Sequence, residues 1–243
     1  MNHSSKTLGV IGGMGPLPTA YFMELVTNMT DAQTDQQHLQ MIVYSMPSIP
    51  DRTAYILGRS DENPATDIIR IGKILEQSKV DVIAIPCMTS HSFFDLIQDS
   101  VSVPVIHAVR KTVEHLRENG FHKVGIMGTS GTIEAGVFRC ELEKQGLQAI
   151  SPSLEAQADV MHLIFNNIKA GAAPEMDRFH AVAQELRDKG AEVIILGCTE
   201  LSLIKRNYPI GAGFVDALEV LAREAIISCG YPLKEEYQSL ITR

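Results

Sequence analysis

Eight short apolar, β-branched runs alternate with segments of helical period along this chain, and that alternation admits few folds. The runs cover residues 7–12, 39–45, 80–86, 103–108, 122–128, 147–152, 191–197 and 213–217, with helices expected at 19–30, 64–77, 110–119, 154–170 and 174–189 between them. Strands that are apolar on both faces and separated by helices imply parallel sheets covered on both sides. The order also repeats. TLGVIGGMGP near the start resembles KVGIMGTSGT, with Gly9 and Gly125 in equivalent places 116 residues apart, while Cys87 and Cys198 stand 111 residues apart. Two features in one order at nearly one offset point to a duplicated α/β unit. The expected fold is therefore α/β, with two similar doubly wound parallel-sheet domains related by a pseudo-twofold axis and a cleft between them. The expected boundaries are 1–107 plus 216–243 for the domain carrying Cys87, and 108–215 for the domain carrying Cys198.

Composition removes several functions. A formal charge of −8 and a pI near 5.5, with no block of Lys and Arg, argue against a nucleic-acid surface. No apolar stretch reaches the roughly 18 residues of a membrane helix. The start, MNHSSKTLGVIGG, lacks the apolar core and cleavage site of a secretory leader, so a cytoplasmic location without membrane partners is expected. Four cysteines with no CxxC are too few and too scattered for a disulfide framework.

Cys87 and Cys198 stand out among them. DVIAIPCMTSH and AEVIILGCTEL share one form: an acid, an apolar run, a small turn residue, the cysteine, then a threonine within two positions. A cysteine between a strand end and a helix start meets free N–H groups and the positive end of the helix dipole, which favour thiolate. Cys140 and Cys229 lack that context and read as helical packing residues. Metal binding by Cys87, His91, Cys198 and Glu200 or His107 is an alternative, but no recognised zinc spacing supports it. An acyl-transfer thiol assisted by His91 would leave the second cysteine without a task. IGGMGPLPT (11–19) does not fit GxGxxG, because Pro18 takes the third glycine's place and no acid follows the next strand, so no nicotinamide cofactor is expected. Its N–H groups are expected to line a pocket, with Thr19 capping the next helix. GTSGTIEAG (128–136) has the same character. Arg52, in SIPDRTAYILG, is either solvated or a carboxylate clamp. Lys169 by itself reads as a favourable helix C-terminal charge.

With these residues in view, the sequence resembles the aspartate/glutamate racemase family over essentially its whole length. The resemblance rests on GGMGP, the DRT loop, C-x-T-x-H at Cys87, Thr89 and His91, the GT-x-GT turn at 128–132, and GCTE at 197–200. It implies two α/β domains with the active site between them, cofactor-free racemisation of aspartate or a related amino acid, and a homodimer. It makes Cys87 and Cys198 the catalytic pair and sets Arg52 and Lys169 towards the distal carboxylate of an acidic substrate. Met14, Met88, Thr89, Ser90, Thr129, Thr132 and Thr199 fall in segments bordering the substrate, and His91 and Glu200 are candidates to tune the thiols. Met88 departs from the family's usual Asn, exchanging a donor and acceptor for a weak acceptor. Maleate isomerisation on the same scaffold and non-catalytic amino-acid binding are the competing readings.

Overall fold

The computed structural model describes residues 6–242; residues 1–5, part of the stretch read for a leader, and 243 lie outside it. The first half runs β1 (Thr7–Gly12), α1 (Pro16–Met29), β2 (Gln40–Ser45), α2 (Arg52–Ile56), α3 (Pro64–Gln77), β3 (Val82–Ala84), a 3₁₀ turn at Met88–Phe93, α4 (Phe94–Asp99) and α5 (Ala108–Glu118). The second runs β4 (Lys123–Met127), α6 (Ser130–Glu134), α7 (Val137–Lys144), β5 (Gln148–Ile150), α8 (Leu154–Met161), a π-helical stretch at His162–Ile168, α9 (Met176–Asp188), β6 (Val193–Leu196), α10 (Thr199–Asn207), β7 (Phe214–Asp216) and α11 (Ala217–Ser228).

Two parallel sheets result, ordered β2-β1-β3 and β5-β4-β6-β7. Val105 bridges Ile83 in parallel and so occupies, in the first sheet, the place β7 holds in the second. The run expected at 103–108 is thus a single bridge rather than a strand. Pro104 within it has no N–H to add to a ladder. The edge strand β2 is only half-buried, unlike the fully buried β3 and β6, so it is not covered on both faces as expected.

In both sheets the first strand of the half lies beside the third, which is where the winding direction reverses. Loops leaving the carboxyl ends of adjacent strands diverge there and open a crevice. β1 delivers the GGMG loop and β3 delivers Cys87; β4 delivers the GTSGT loop and β6 delivers Cys198. Sheet order therefore brings each glycine loop next to a cysteine.

The helices divide into outer and central layers. The outer face of the first sheet packs Ile68, Ile71 and Leu75 of α3 against Ile11 and Ile83. The outer face of the second packs Val160, Leu163, Phe179 and Leu186 against Ile194 and Leu196. Between the sheets one continuous core joins Phe22 of α1, Val113 of α5, Phe138 of α7 and Leu221 of α11 to β1, β4 and β6. α11 follows a strand of the second sheet but packs on α1 and on α5.

Two glycines set how closely the parts approach. A Cβ on Gly131 of α6 would lie 2.9 Å from the Thr53 Cα of α2, so the two halves meet backbone to backbone there. A Cβ on Gly197, just before Cys198, would lie 2.7 Å from the Phe138 ring. Among the described residues, no helix is long and apolar enough to cross a membrane.

Candidate active site

Each cysteine is the residue immediately before a helical turn. Cys87 precedes the 3₁₀ turn and Cys198 precedes α10, both in extended backbone and both buried. The first N–H groups of such turns have no intrahelical acceptor, and that of Glu200 is bonded to the Cys198 sulfur. The two cysteines come from different halves and wall one small cavity of about 20 Å³, shared with Met14, Asp51, Arg52, Thr53, Met88, Thr89, Thr129, Lys169, Thr199 and Glu200. That volume is close to what one water needs. Met14, Asp51, Arg52, Lys169 and Glu200 also line a larger vestibule of about 550 Å³ and form the partition between the two spaces.

The surroundings of the two sulfurs differ in charge. Arg52 is buried, and its Nη1 donates to the carbonyl oxygens of Ile49 at 3.3 Å and Pro50 at 3.0 Å. Burial alone would lower its pKa, but the facing Cys87 sulfur, Asp51 and Glu200 outweigh burial and hold it above the usual arginine value. Cys198 Sγ instead donates to Glu200 Oε2 at 2.9 Å. Burial first, then the Glu200 carboxylate, push its pKa well above the ordinary thiol value, with Lys169 opposing them. Cys87 thus has a cation beside it and Cys198 an anion.

Lys169 is set by an irregularity in its helix. The segment expected as one helix over 154–170 changes to π geometry at His162, and the Lys169 N–H donates to Ile164, five residues back, at 2.9 Å. Its Nζ lies 3.9 Å from Glu200 Oε1, 4.0 Å from Asp51 Oδ2 and 4.4 Å from the Phe165 ring centre. Lys169 stands at the C-terminal end of its helix, as read from the sequence, and its ammonium also lies between carboxylates of the two halves.

Three hydroxyls join the halves behind the sulfurs. Thr89 lies 3.1 Å from Thr129 and 2.9 Å from Thr132, and the latter two are 3.1 Å apart. The expected donor loops are partly consumed in building the site. The Gly13 N–H donates to Thr19 Oγ1 at 2.9 Å, and that hydroxyl donates to the Gly15 carbonyl at 2.8 Å. Thr19 therefore folds the loop around itself rather than capping a helix start. The loop needs glycine at position 13, which has φ +94° and where a Cβ would meet the Met46 backbone at 2.4 Å. The Thr132 N–H likewise donates to Thr129, at 3.2 Å.

Met88 walls the cavity and also joins the central core. Ser90, expected to border substrate, instead donates to the Cys87 carbonyl at 2.6 Å and does not line the cavity. Thr132 lies behind Thr89 and Thr129 rather than in the wall. His91, expected beside the thiol, stacks on His107 with ring centres 5.4 Å apart and lines a separate seam cavity of about 630 Å³. Neither of its ring nitrogens has a partner among the described residues, so it forms no bond to Cys87. Among the described residues no three His, Cys, Asp or Glu side chains converge as metal ligands, so the Cys87, His91, His107, Cys198 and Glu200 set does not assemble. Asp51 and Thr53 are in the wall and were not expected there. The signal was in the DRT motif, whose flanking residues share the loop that places Arg52.

His91 carries a stability consequence. Burial, then His107, lower its pKa to about 3, so the folded state excludes a proton that the unfolded chain binds below about 6.5. Stability from this residue is present above that value and is lost as pH falls, roughly 2 kcal/mol by pH 5. In urea titrations at pH 7 and pH 5, His91→Phe is expected to narrow the stability difference by that amount; an unchanged difference would contradict it.

Residues 11–225 match the sequence profile described as Asp/Glu/hydantoin racemase. The chain belongs to that racemase family. As a member, it is 28% identical to the broad specificity amino-acid racemase RacX of Bacillus subtilis (strain 168), over 90% of this chain and 96% of that protein. The aspartate racemase of Picrophilus torridus superposes with a TM-score of 0.82 at 29% identity, covering 97% of this chain and 99% of that one. Glutamate racemase from Francisella tularensis subsp. tularensis SCHU S4, solved with D-glutamate, shares the fold at 17% identity and a TM-score of 0.66, with 92% and 80% coverage. The family's enzymes are isomerases, and their two-sheet α/β architecture is the one seen here.

Proposed function

We infer that this racemase-family protein interconverts the L and D forms of free amino acids, aspartate among them, without a cofactor, by passing the α-proton between Cys87 and Cys198. The observation that carries this reading is that one small cavity is walled by both Cys87 and Cys198, one from each half. A single base tends to return a proton to the face it came from; two thiols on opposite faces remove that limit.

The electron and proton accounts balance. A Cys87 thiolate takes the α-hydrogen as a proton and forms S–H, while the C–H pair moves into an enediolate on the α-carboxyl. Cys198 S–H then delivers its proton to the other face, the pair returns to Cα, and Cys198 is left as thiolate. The surroundings favour this assignment at rest: Arg52 stands beside Cys87, and burial together with the Glu200 carboxylate favours the protonated Cys198. The first-turn N–H groups at Met88, Thr89 and Thr199 are the donors assigned to the developing enediolate. Arg52 and Lys169 anchor carboxylates of the substrate, and Met88 supplies an apolar wall where an amide is usual in the family.

The test is deuterium wash-in at Cα, followed by NMR in D₂O, with chiral analysis of the same samples. Aspartate is expected to lose its α-proton signal from both enantiomers and to approach a 1:1 ratio. Absence of exchange across a full amino-acid panel would overturn the reading, and fumarate formed from maleate would replace it with an isomerase of another class.

A further inference from the structure

The hydroxyls of Thr89, Thr129 and Thr132 form a triangle with sides of 3.1, 2.9 and 3.1 Å. Each hydroxyl has one hydrogen to give and two lone pairs to receive. Three hydrogens meet three contacts, so a ring in which every hydroxyl donates to the next leaves no hydrogen for the cavity. Thr89 and Thr129 wall the sulfur cavity, whereas Thr132 is buried behind them and does not. How the Thr132 hydrogen is used therefore decides what the other two can offer a substrate.

The Thr132 hydroxyl has Thr89 at 2.9 Å and Thr129 at 3.1 Å as its acceptors among the described residues. Thr129 Oγ1 already receives the Thr132 backbone N–H, at 3.2 Å. Thr89 Oγ1 has no such second donor among the described residues, and its contact with Thr132 is the shorter. With the hydroxyl given to Thr89 and the N–H to Thr129, residue 132 holds both wall oxygens from behind. Thr89 and Thr129 then keep their own hydrogens, and both can turn them towards a negative charge in the cavity. A hydroxyl that accepts from behind is polarised into a stronger donor in front. Thr89 belongs to the first half and the other two to the second, so this donor pair is complete only where the halves meet.

We propose that Thr132 is a positioning residue for the racemase reaction: without touching substrate, it frees the Thr89 and Thr129 hydroxyls to donate together to the α-carboxyl oxygens as these take up the enediolate charge. This rests on the racemase reading above and adds to it a residue that acts through two others.

The experiment takes the amino acid that the wild-type protein exchanges fastest. It measures kcat and KM of racemisation, with urea midpoints, for Thr132→Val, Thr132→Ser, Thr89→Val and the Thr89→Val/Thr132→Val pair. Valine keeps the shape and the backbone N–H but removes the hydroxyl. One wall hydroxyl must then donate to the other, and a single hydrogen remains for the substrate. Thr132→Val is expected to lower kcat about 30-fold, the scale of one hydrogen bond to a charged group. KM is expected to stay within about threefold, because the lost bond strengthens as charge develops. Serine keeps the hydroxyl and drops the Thr132 Cγ2 methyl, which packs towards Gly128, and is expected to retain kcat within about threefold. In the Thr89→Val background, Thr132→Val is expected to cost no more than about a further twofold, since its route through Thr89 is gone.

A packing role would reverse the order, with Thr132→Ser impaired and Thr132→Val near the wild type; that order, or equal losses tracking lowered urea midpoints, would overturn the proposal. So would a rise in KM at unchanged kcat, or a full independent loss in the double variant. Each of these results leaves the racemase reading standing. Absence of wild-type exchange with any amino acid would overturn both.

Discussion

Alanine at either Cys87 or Cys198 is expected to lower racemisation by at least about 10³-fold, the range a positioned acid or base contributes. Each thiol is small and buried, and each sits at the edge of an apolar cluster, so the loss of one sulfur leaves the fold in place. Far-ultraviolet circular dichroism and the urea midpoint check that. The informative measurement is exchange rather than racemisation. With one thiol left, the protein is expected to exchange the α-proton of one enantiomer with solvent deuterium while leaving the other untouched, and the two variants are expected to choose opposite enantiomers. That pattern assigns a face of Cα to each sulfur. Interconversion persisting in either variant would mean that one sulfur serves both faces, contrary to the mechanism.

Glu200→Gln is expected to lower kcat/KM about 10²-fold. Two effects of the carboxylate oppose each other. Its charge raises the Cys198 pKa, so removing the charge alone would make the thiolate easier to form and raise activity near neutrality. Its Oε2 also accepts the Cys198 proton across 2.9 Å, a role that glutamine's amide cannot fill when Cys198 must act as base. The proton-acceptor role is expected to win, because the thiol lies within the buried wall and Glu200 is its bonded partner. Since the L and D forms are equal in free energy, kcat/KM must fall by the same factor in both directions. A pH profile separates the alternatives. A lost acceptor depresses the rate across the range, while a lost charge shifts the alkaline rise towards lower pH and increases the rate at pH 7. The second result would reduce Glu200 to an electrostatic neighbour.

Much of this arrangement is local in origin and so was legible in the chain. A β-branched run buried on both faces, a Gly or Pro to turn, and a helix start dictate that Cys87 and Cys198 follow strand ends. The same rules placed α3 at residues 64–77 and β1 at 7–12. They misjudged residues 103–108, where a proline interrupts the ladder, and they took 154–170 for uniform helix. The π geometry before Lys169 depends on how that helix seats against its neighbours, and no propensity encodes it.

The side-chain roles divide along the same line. Thr89, Thr129 and Thr199 reached the site because their motifs sit at strand ends. Ser90 turned back to satisfy the Cys87 carbonyl, an obligation of buried backbone that outweighs a place in the pocket. His91 followed the turn of the 3₁₀ segment away from the sulfur and onto His107. Asp51 and Thr53 entered the wall because Gly131 lets α2 approach α6 backbone to backbone, a contact between residues nearly eighty positions apart.

The sequence alone therefore determined the duplicated α/β plan and the local setting of each cysteine, because strand burial, turn chemistry and helix starts act over a few residues. Tertiary structure decided that the two sulfurs share one cavity, that Arg52 serves one and Glu200 the other, and that Lys169 joins the halves between two carboxylates. Those outcomes depend on how two sheets with the same strand order pack through a common core, and short-range preferences carry no record of that packing.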